Sequence, residues 1–142
     1  MKVKDLMTRQ VIDIDREESV AVAARSLARY NVGVLPVREE GGRLCGVVTD
    51  RDIVTRCLAA GRRPENTKVG EIMTAQVYSA QPDMDTSVAA HLMGRQQVRR
   101  LPVVENGKLC GMLSLGDLAN HEQSNYDAAD ALGEITSSIS SR

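Results

Sequence analysis

The chain repeats itself. Val3-Lys4-Asp5-Leu6-Met7-Thr8 is answered by Val69-Gly70-Glu71-Ile72-Met73-Thr74, a shift of 69 − 3 = 66 positions. The same shift carries Gln10-Val11 onto Gln76-Val77, Val22-Ala23-Ala24 onto Val88-Ala89-Ala90, and Val32-Gly33-Val34-Leu35-Pro36-Val37 onto Val98-Arg99-Arg100-Leu101-Pro102-Val103. After one extra residue in the turn beyond Val37, Leu44-Cys45-Gly46-Val47-Val48-Thr49 pairs with Leu109-Cys110-Gly111-Met112-Leu113-Ser114, and Asp52 with Asp117. Blocks in one order at one spacing mean duplication, and so long a period predicts two similar halves about a pseudo-two-fold axis rather than a solenoid.

Within each copy the apolar spacing names the elements. Val20, Ala23, Ala24 and Leu27 recur at helical intervals between Ser19 and Asn31, and Val88, Leu92 and Met93 form the corresponding stripe. Val32 to Val37 is a β-branched run, and Pro36 and Pro102, lacking an N–H, suit a strand edge or entrance. Glu39-Glu40-Gly41-Gly42 and Glu105-Asn106-Gly107 read as hairpin turns before the returning strands Leu44 to Val48 and Leu109 to Leu113. Asp50 to Ala60 reads as a helix ended by Gly61. Each half is therefore expected to be β-α-β-β-α, an α/β (α+β) fold. The expected divisions are repeat 1 with its connector over 1–66, repeat 2 over 67–120, and a polar tail over 121–142 holding at most a short helix around Asp127 to Ile135.

Composition narrows the function classes. At 142 residues with 42% apolar content the chain falls within the usual size of one compact domain. Its net charge of −1 offers no global field for a polyanion or an anionic membrane. The three tyrosines, with neither Phe nor Trp, cannot build the stacking row that single-stranded nucleic acid needs. No signal-like start or spanning apolar run is present, so the reading is cytoplasmic with no membrane partner. Cys45, Cys57 and Cys110 lie far apart with no His at zinc spacing, which predicts reduced structural thiols and no metal site.

The blocks Met7-Thr8 and Met73-Thr74, Leu35-Pro36-Val37 and Leu101-Pro102-Val103, and Gly46-Val47-Val48-Thr49-Asp50-Arg51-Asp52 with Gly111-Met112-Leu113-Ser114-Leu115-Gly116-Asp117 resemble those of the cystathionine-β-synthase-type (CBS) domain family over about residues 3–120. The length and the Thr-Asp-Arg-Asp segment are also similar to small bacterial two-repeat proteins of the hypoxic response type. The resemblance implies sheets packed together with helices outside, a homodimer joined through helices, and clefts for AMP, ADP, ATP or S-adenosylmethionine.

It also implies site residues. Asp52 and Asp117 would accept from the two hydroxyls of a ribose, a charge-assisted pairing, with Thr49 or Ser114, and Arg51 nearby, toward phosphate. Adenine would lie between Val11, Ile12, Val32 and Pro36 beside Gly33 in one cleft, and between Val77, Tyr78, Val98 and Pro102 in the other, its edge read by Thr8 and Thr74. Arg99 and Arg100 replace Gly33 and Val34, so the two sites are expected to be unequal, with the Asp52 cleft holding phosphate more tightly as an arginine reaches across.

Plainer roles stand beside these. Thr49-x-x-Asp52 and Ser114-x-x-Asp117 also have the form of helix capping boxes, a role compatible with binding. Arg99-Arg100 also reads as a solvated pair, as do Arg62-Arg63, while His91 and His121 read as surface histidines and Met93 and Met112 as core filler. No P-loop, nucleophile elbow or His-Glu-x-x-His motif is present, which argues against an enzyme. The expectation is a regulatory module that binds an adenosine nucleotide, needs no cofactor and signals to an effector protein in trans. The alternatives are an interaction scaffold with vestigial clefts and, more distantly, a nucleic-acid binder.

Overall fold

The computed structural model describes residues 1–121 and 125–140. In chain order the elements are α1 (Val3–Leu6), β1 (Ile14–Asp15), α2 (Val20–Tyr30), β2 (Val34–Glu39), β3 (Arg43–Thr49), α3 (Asp50–Asp52), α4 (Val69–Ile72), α5 (Thr86–Gln96), β4 (Arg100–Glu105), β5 (Lys108–Ser114), α6 (Leu115–Ala119) and α7 (Asn125–Ser140). A π-helical stretch, Ile53–Leu58, continues α3.

The chain forms two compact units rather than one, and each takes its leading segment from the other sequence repeat. One unit is Ile12–Val77; the other joins Met1–Val11 to the chain from Tyr78 onward. Backbone hydrogen bonds explain the exchange of leading segments. Val3 N donates to Met84 O at 2.8 Å and Lys4 N to Pro82 O at 3.0 Å, while Thr8 and Met112 exchange N–H and carbonyl at 2.9 Å each way. Val3 is fully buried among core residues of the later unit.

In the unit Ile12–Val77, β1 runs parallel to β2 and β2 antiparallel to β3. Pro36 lies opposite Val47, whose own N–H and carbonyl are exchanged with Thr74, so the ladder asks no N–H of the proline there. Ser19 caps α2, accepting from Val22 N at 3.2 Å, and Val20, Ala23 and Leu27 are its buried face, with Ala24 exposed. Gly61, at φ +76°, follows the helix that begins at Asp50, as the sequence predicts. The polar connector is ordered: Pro64–Asn66 is a short 3-10 turn, and the buried Thr67 hydroxyl donates to Arg63 O at 2.7 Å.

The second unit repeats the hairpin with β4 and β5, turned by Asn106 (φ 54°) and Gly107 (φ 79°), the pair of positive angles that an Asn-Gly turn supplies cheaply. Pro102 lies opposite Met112, which exchanges its bonds with Thr8 as Val47 does with Thr74. In both hairpins a cysteine is the extra residue of a bulge, and the Cys45 and Cys110 thiols each donate to a carbonyl, Val37 O and Val103 O, at 3.4 Å. Burial, followed by nearby Glu39 and Glu105 respectively, raises both thiol pKa values above normal, which keeps them protonated as structural thiols.

Two expectations fail in this unit. The tail is a helix of 16 residues, α7, with Ala128, Ala131 and Ile135 buried, and it packs on α5 and α6. This also moves the buried stripe of α5: Ala89, Ala90 and Met93 are buried together with Gly94, whereas Val88 stays 53% exposed. A Cβ on Gly94 would lie 3.2 Å from Ala131 Cα and 2.8 Å from Glu134 Oε2, so the close crossing of the two helices depends on the missing side chain. Among the described residues no helix is long and apolar enough to cross a membrane.

Candidate functional site

Both Thr/Ser-x-x-Asp segments are closed capping boxes. Thr49 N donates to Asp52 Oδ2 at 3.0 Å and Asp52 N to Thr49 Oγ1 at 3.0 Å. In the other unit Ser114 N donates to Asp117 Oδ2 at 2.9 Å and Asp117 N to Ser114 Oγ at 3.0 Å. The box fixes each aspartate rotamer and holds the carboxylate at the junction of strand and helix. Gly33 and Arg99, equivalent in sequence, serve the same junction through their backbones, accepting from Asp50 N at 3.3 Å and Leu115 N at 2.9 Å.

The environments of the two carboxylates differ. The Asp52 side chain is 8% exposed and receives the Thr74 hydroxyl, 3.2 Å from Oδ1 and 3.3 Å from Oδ2. Arg56, one helical turn on, stands 3.8 Å from Asp52 Oδ1 and donates to Ile72 O at 3.2 Å and Met73 O at 3.0 Å. An ionised carboxylate has about four lone-pair positions, so these contacts leave acceptor capacity, although little of the side chain reaches solvent. Asp117 is the more accessible, half-buried instead of buried.

The expected site residues distribute by unit. Ile12, Val32, Pro36, Thr49, Asp52, Thr74 and Val77 belong to the Asp52 unit; Thr8, Val11, Tyr78, Val98, Pro102, Ser114 and Asp117 belong to the other. The expected walls put Val11 with Ile12 and Val77 with Tyr78, and it is at those positions that the leading segments trade units. Pro36 and Pro102 are buried, Ile12, Val32 and Val98 pack on the cores of their units, and Thr8, Gly33 and Arg51 are exposed.

Arg99, Arg100 and Ser114 line an open cavity of about 520 Å³ in their own unit, together with Leu115, Gly116 and Ala119 of α6 and Ala128, Ala129 and Leu132 of α7. That volume lies in the range of small-molecule pockets. Among the described residues neither arginine has an ion-pair partner. Arg62, expected to be solvated, instead pairs with Glu71 at 2.8 Å.

Sequence reasoning missed Arg56, although an acid four residues before a base on a helix was the available signal. Its counterpart, His121, was expected at the surface but is half-buried, with Nδ1 buried and without a hydrogen-bond partner among the described residues. The Ala128-Ala129-Leu132 wall was also missed. Among the described residues no group of three or more His, Cys, Asp or Glu is placed to hold a metal.

Two copies of one α/β unit, each with a capped aspartate where its returning strand meets a helix, define a tandem-repeat module. The chain belongs to the CBS-domain family, whose model matches residues 3–59 and 69–124. It is 42% identical over 134 residues to the CBS domain-containing protein YhcV of Bacillus subtilis, covering 94% of each chain. The crystal structure of Hypoxic Response Protein I, described with two coordinated zinc ions, is similar at TM-score 0.78 and 31% identity, over 85% of this chain and 98% of that one. The CBS domain pair of protein MJ0100, in complex with 5′-methylthioadenosine and S-adenosyl-L-methionine, is similar at TM-score 0.73 and 28% identity, over 84% and 94%.

Proposed function

We propose that this CBS-domain pair is a regulatory module that binds an adenosine-containing ligand, AMP, ADP, ATP or S-adenosylmethionine, and passes its bound state to a partner protein, acting as a homodimer and not as an enzyme. The observation that carries the reading is Ser114, joined to Asp117 by the capping box, in the lining of a cavity whose two guanidinium groups have no ion-pair partner among the described residues. Asp117 accepts the vicinal hydroxyls of the sugar, and Ser114, bonded to that residue and paired with Arg100 across the hairpin, is on the side where phosphate would follow. A similar structure whose ligands are 5′-methylthioadenosine and S-adenosyl-L-methionine supports the class of ligand. Since the arginines line a cavity of their own unit, the Asp117 unit is favoured over the Asp52 unit for the first ligand. Differential affinity of the ligand for two arrangements of the protein supplies the signal.

A second reading, an interaction scaffold, has its own support. Asp52 is held as a structural residue by Thr49 and Thr74, and its side chain is only 8% exposed. Thermal denaturation with each of the four ligands separates the two. A ligand at 100 times its dissociation constant adds about 2.7 kcal/mol, so at least one should raise the melting temperature of the wild type and fail to do so in Asp117→Ala. If none shifts the transition at millimolar concentration, the scaffold reading stands.

A further inference from the structure

The two units share a fold but not a covering. The last helix, α7, lies beyond both matched repeats, since the family model ends at residue 124. It packs on α5 and α6 and crosses α5 at Gly94, where an added Cβ would lie 3.2 Å from Ala131 Cα. Ala90 and Gly94 are buried there, and Ala119 of α6 lines the cavity beside α7. The equivalent positions of the Ile12–Val77 unit hold Ala24 and Ala28 of α2, by a shift of 66, and Val54 of the π-helical stretch, by a shift of 65. All three are exposed, Val54 at 54%, and Leu58, one turn further on, is 53% exposed. Since α2 packs on the π-helical stretch, the face that a helix covers in one unit reaches solvent in the other.

The outer side of α7 is not used by its own unit. Ala128, Ala131 and Ile135 are buried, whereas Ala129, Asp130 and Gly133 are exposed. A Cβ on Gly133 would meet nothing within 4 Å, so no packing inside the unit asks for glycine there, although glycine weakens a helix interior. With Ala129 four residues earlier, it leaves a notch open to a large side chain from outside. Charge selects which surface meets it. Arg25 and Arg29 of α2 are exposed and that helix carries no acid, while α7 carries Asp127, Asp130 and Glu134 and neither Lys nor Arg. Two α2 faces would bring arginines against arginines, and two α7 helices carboxylates against carboxylates; only α7 against α2 joins opposite signs.

We propose that the outer side of α7 docks on the α2 face of a second copy of this chain. Val54 and Leu58 of one copy fill the notch at Ala129 and Gly133 of the other, and Arg25 and Arg29 meet the acidic side of α7. The contact joins unlike surfaces, so each copy offers one of each. It makes α7 a connector, held to its own unit by Ala128, Ala131 and Ile135 and to the neighbour by the opposite side. The inference rests on the homodimer of the function proposed above, for which it names the two surfaces, and it is independent of the nucleotide.

Sedimentation velocity on the full chain over a range of micromolar concentrations tests the proposal. Three variants change surface positions: Gly133→Gln fills the notch while favouring the helix, Arg25→Glu with Arg29→Glu reverses one surface, and Asp127→Arg with Asp130→Arg reverses the other. Circular dichroism checks that each folds. Wild type should self-associate, and each variant should lose about tenfold or more in association constant. An equimolar mixture of the two charge-reversed proteins should associate again, because each then presents the sign that the other lacks. Arginine reversal that weakens association while the aspartate reversal leaves it intact would place two α2 faces together and overturn the proposal. Association of Gly133→Gln at wild-type strength, or a mixture that stays dissociated, overturns it too. Wild-type association that all three variants retain overturns it and leaves a homodimer through another surface. A wild type that stays monomeric removes both this contact and the homodimer, and leaves the ligand reading to its own thermal test.

Discussion

The Thr74 hydroxyl rests on the Asp52 carboxylate, 3.2 Å from Oδ1 and 3.3 Å from Oδ2, and so ties the start of the second sequence repeat to the helix that closes the first compact unit. The same Thr74 exchanges backbone bonds with Val47, at 2.9 and 2.8 Å, so one residue completes both the strand edge and the buried carboxylate. Thr74→Val keeps the shape and removes the donor to a carboxylate that is 8% exposed. It should cost about 1–3 kcal/mol in urea unfolding, with Thr74→Ser near wild type. Equal stability of the valine variant and wild type would show that this bond does not hold the unit together.

The strand glycines Gly46 and Gly111 are needed for close approach rather than for turning. A Cβ at Gly46 would lie 2.8 Å from both Met73 Sδ and Thr74 O, and one at Gly111 would lie 2.7 Å from Met7 Sδ and 3.1 Å from Thr8 O. A methionine tip can move but a carbonyl held in a ladder cannot. Gly46→Ala should therefore destabilise by roughly 1–3 kcal/mol, and trimming Met73 to Ala in the same chain should not restore it. Full rescue by the second change would place the strain on the side chain alone.

Docking of α7 is open to a separate test. Gly94→Val drives a branched side chain toward Ala131 Cα, 3.2 Å from the position of its first carbon. Limited proteolysis should then cut within residues 125–140 at least several times faster than in wild type, because undocking exposes a helix too short to persist alone. An unchanged digestion pattern would mean that the helices accommodate the added bulk.

Glu71 supplies a pH dependence with a definite sign. The Lys68 backbone N–H, followed by the Arg62 guanidinium, lowers its carboxyl pKa from the ordinary 4.5. A carboxylate whose folded pKa lies below its unfolded value contributes fully above the unfolded pKa, and the contribution disappears as pH falls through the folded one. Melting temperatures measured downward from pH 6 should therefore fall less steeply below about 4.5 in Glu71→Gln than in wild type, with the gap between the two proteins narrowing as acid removes the charge. Parallel curves would assign Glu71 no role in acid lability.

The duplication made the hairpins, the capping boxes and α2 legible, since their residues recur at fixed spacing and each signal is local. The exchange of leading segments was not legible. Val3-to-Thr8 and Val69-to-Thr74 are similar stretches that share Val, Met and Thr, and long-range backbone pairing, Thr8 with Met112 and Thr74 with Val47, decides which unit each joins. The last helix was under-read because its buried positions are mainly small residues in a polar segment, Ala128 and Ala131, which carry a weak amphipathic signal. The bulges at Cys45 and Cys110 left no mark in an alternation already crowded with apolar residues.

Replacing the ribose of the bound nucleotide by 2′-deoxyribose probes the sugar contact itself. For the nucleotide giving the largest thermal shift, calorimetry on the native form and its 2′-deoxy counterpart should show about a tenfold or greater loss on deletion of the hydroxyl. That discrimination should vanish in Asp117→Ala. Equal affinities for the two sugars on the wild-type chain, or discrimination that persists without the carboxylate, would contradict the account.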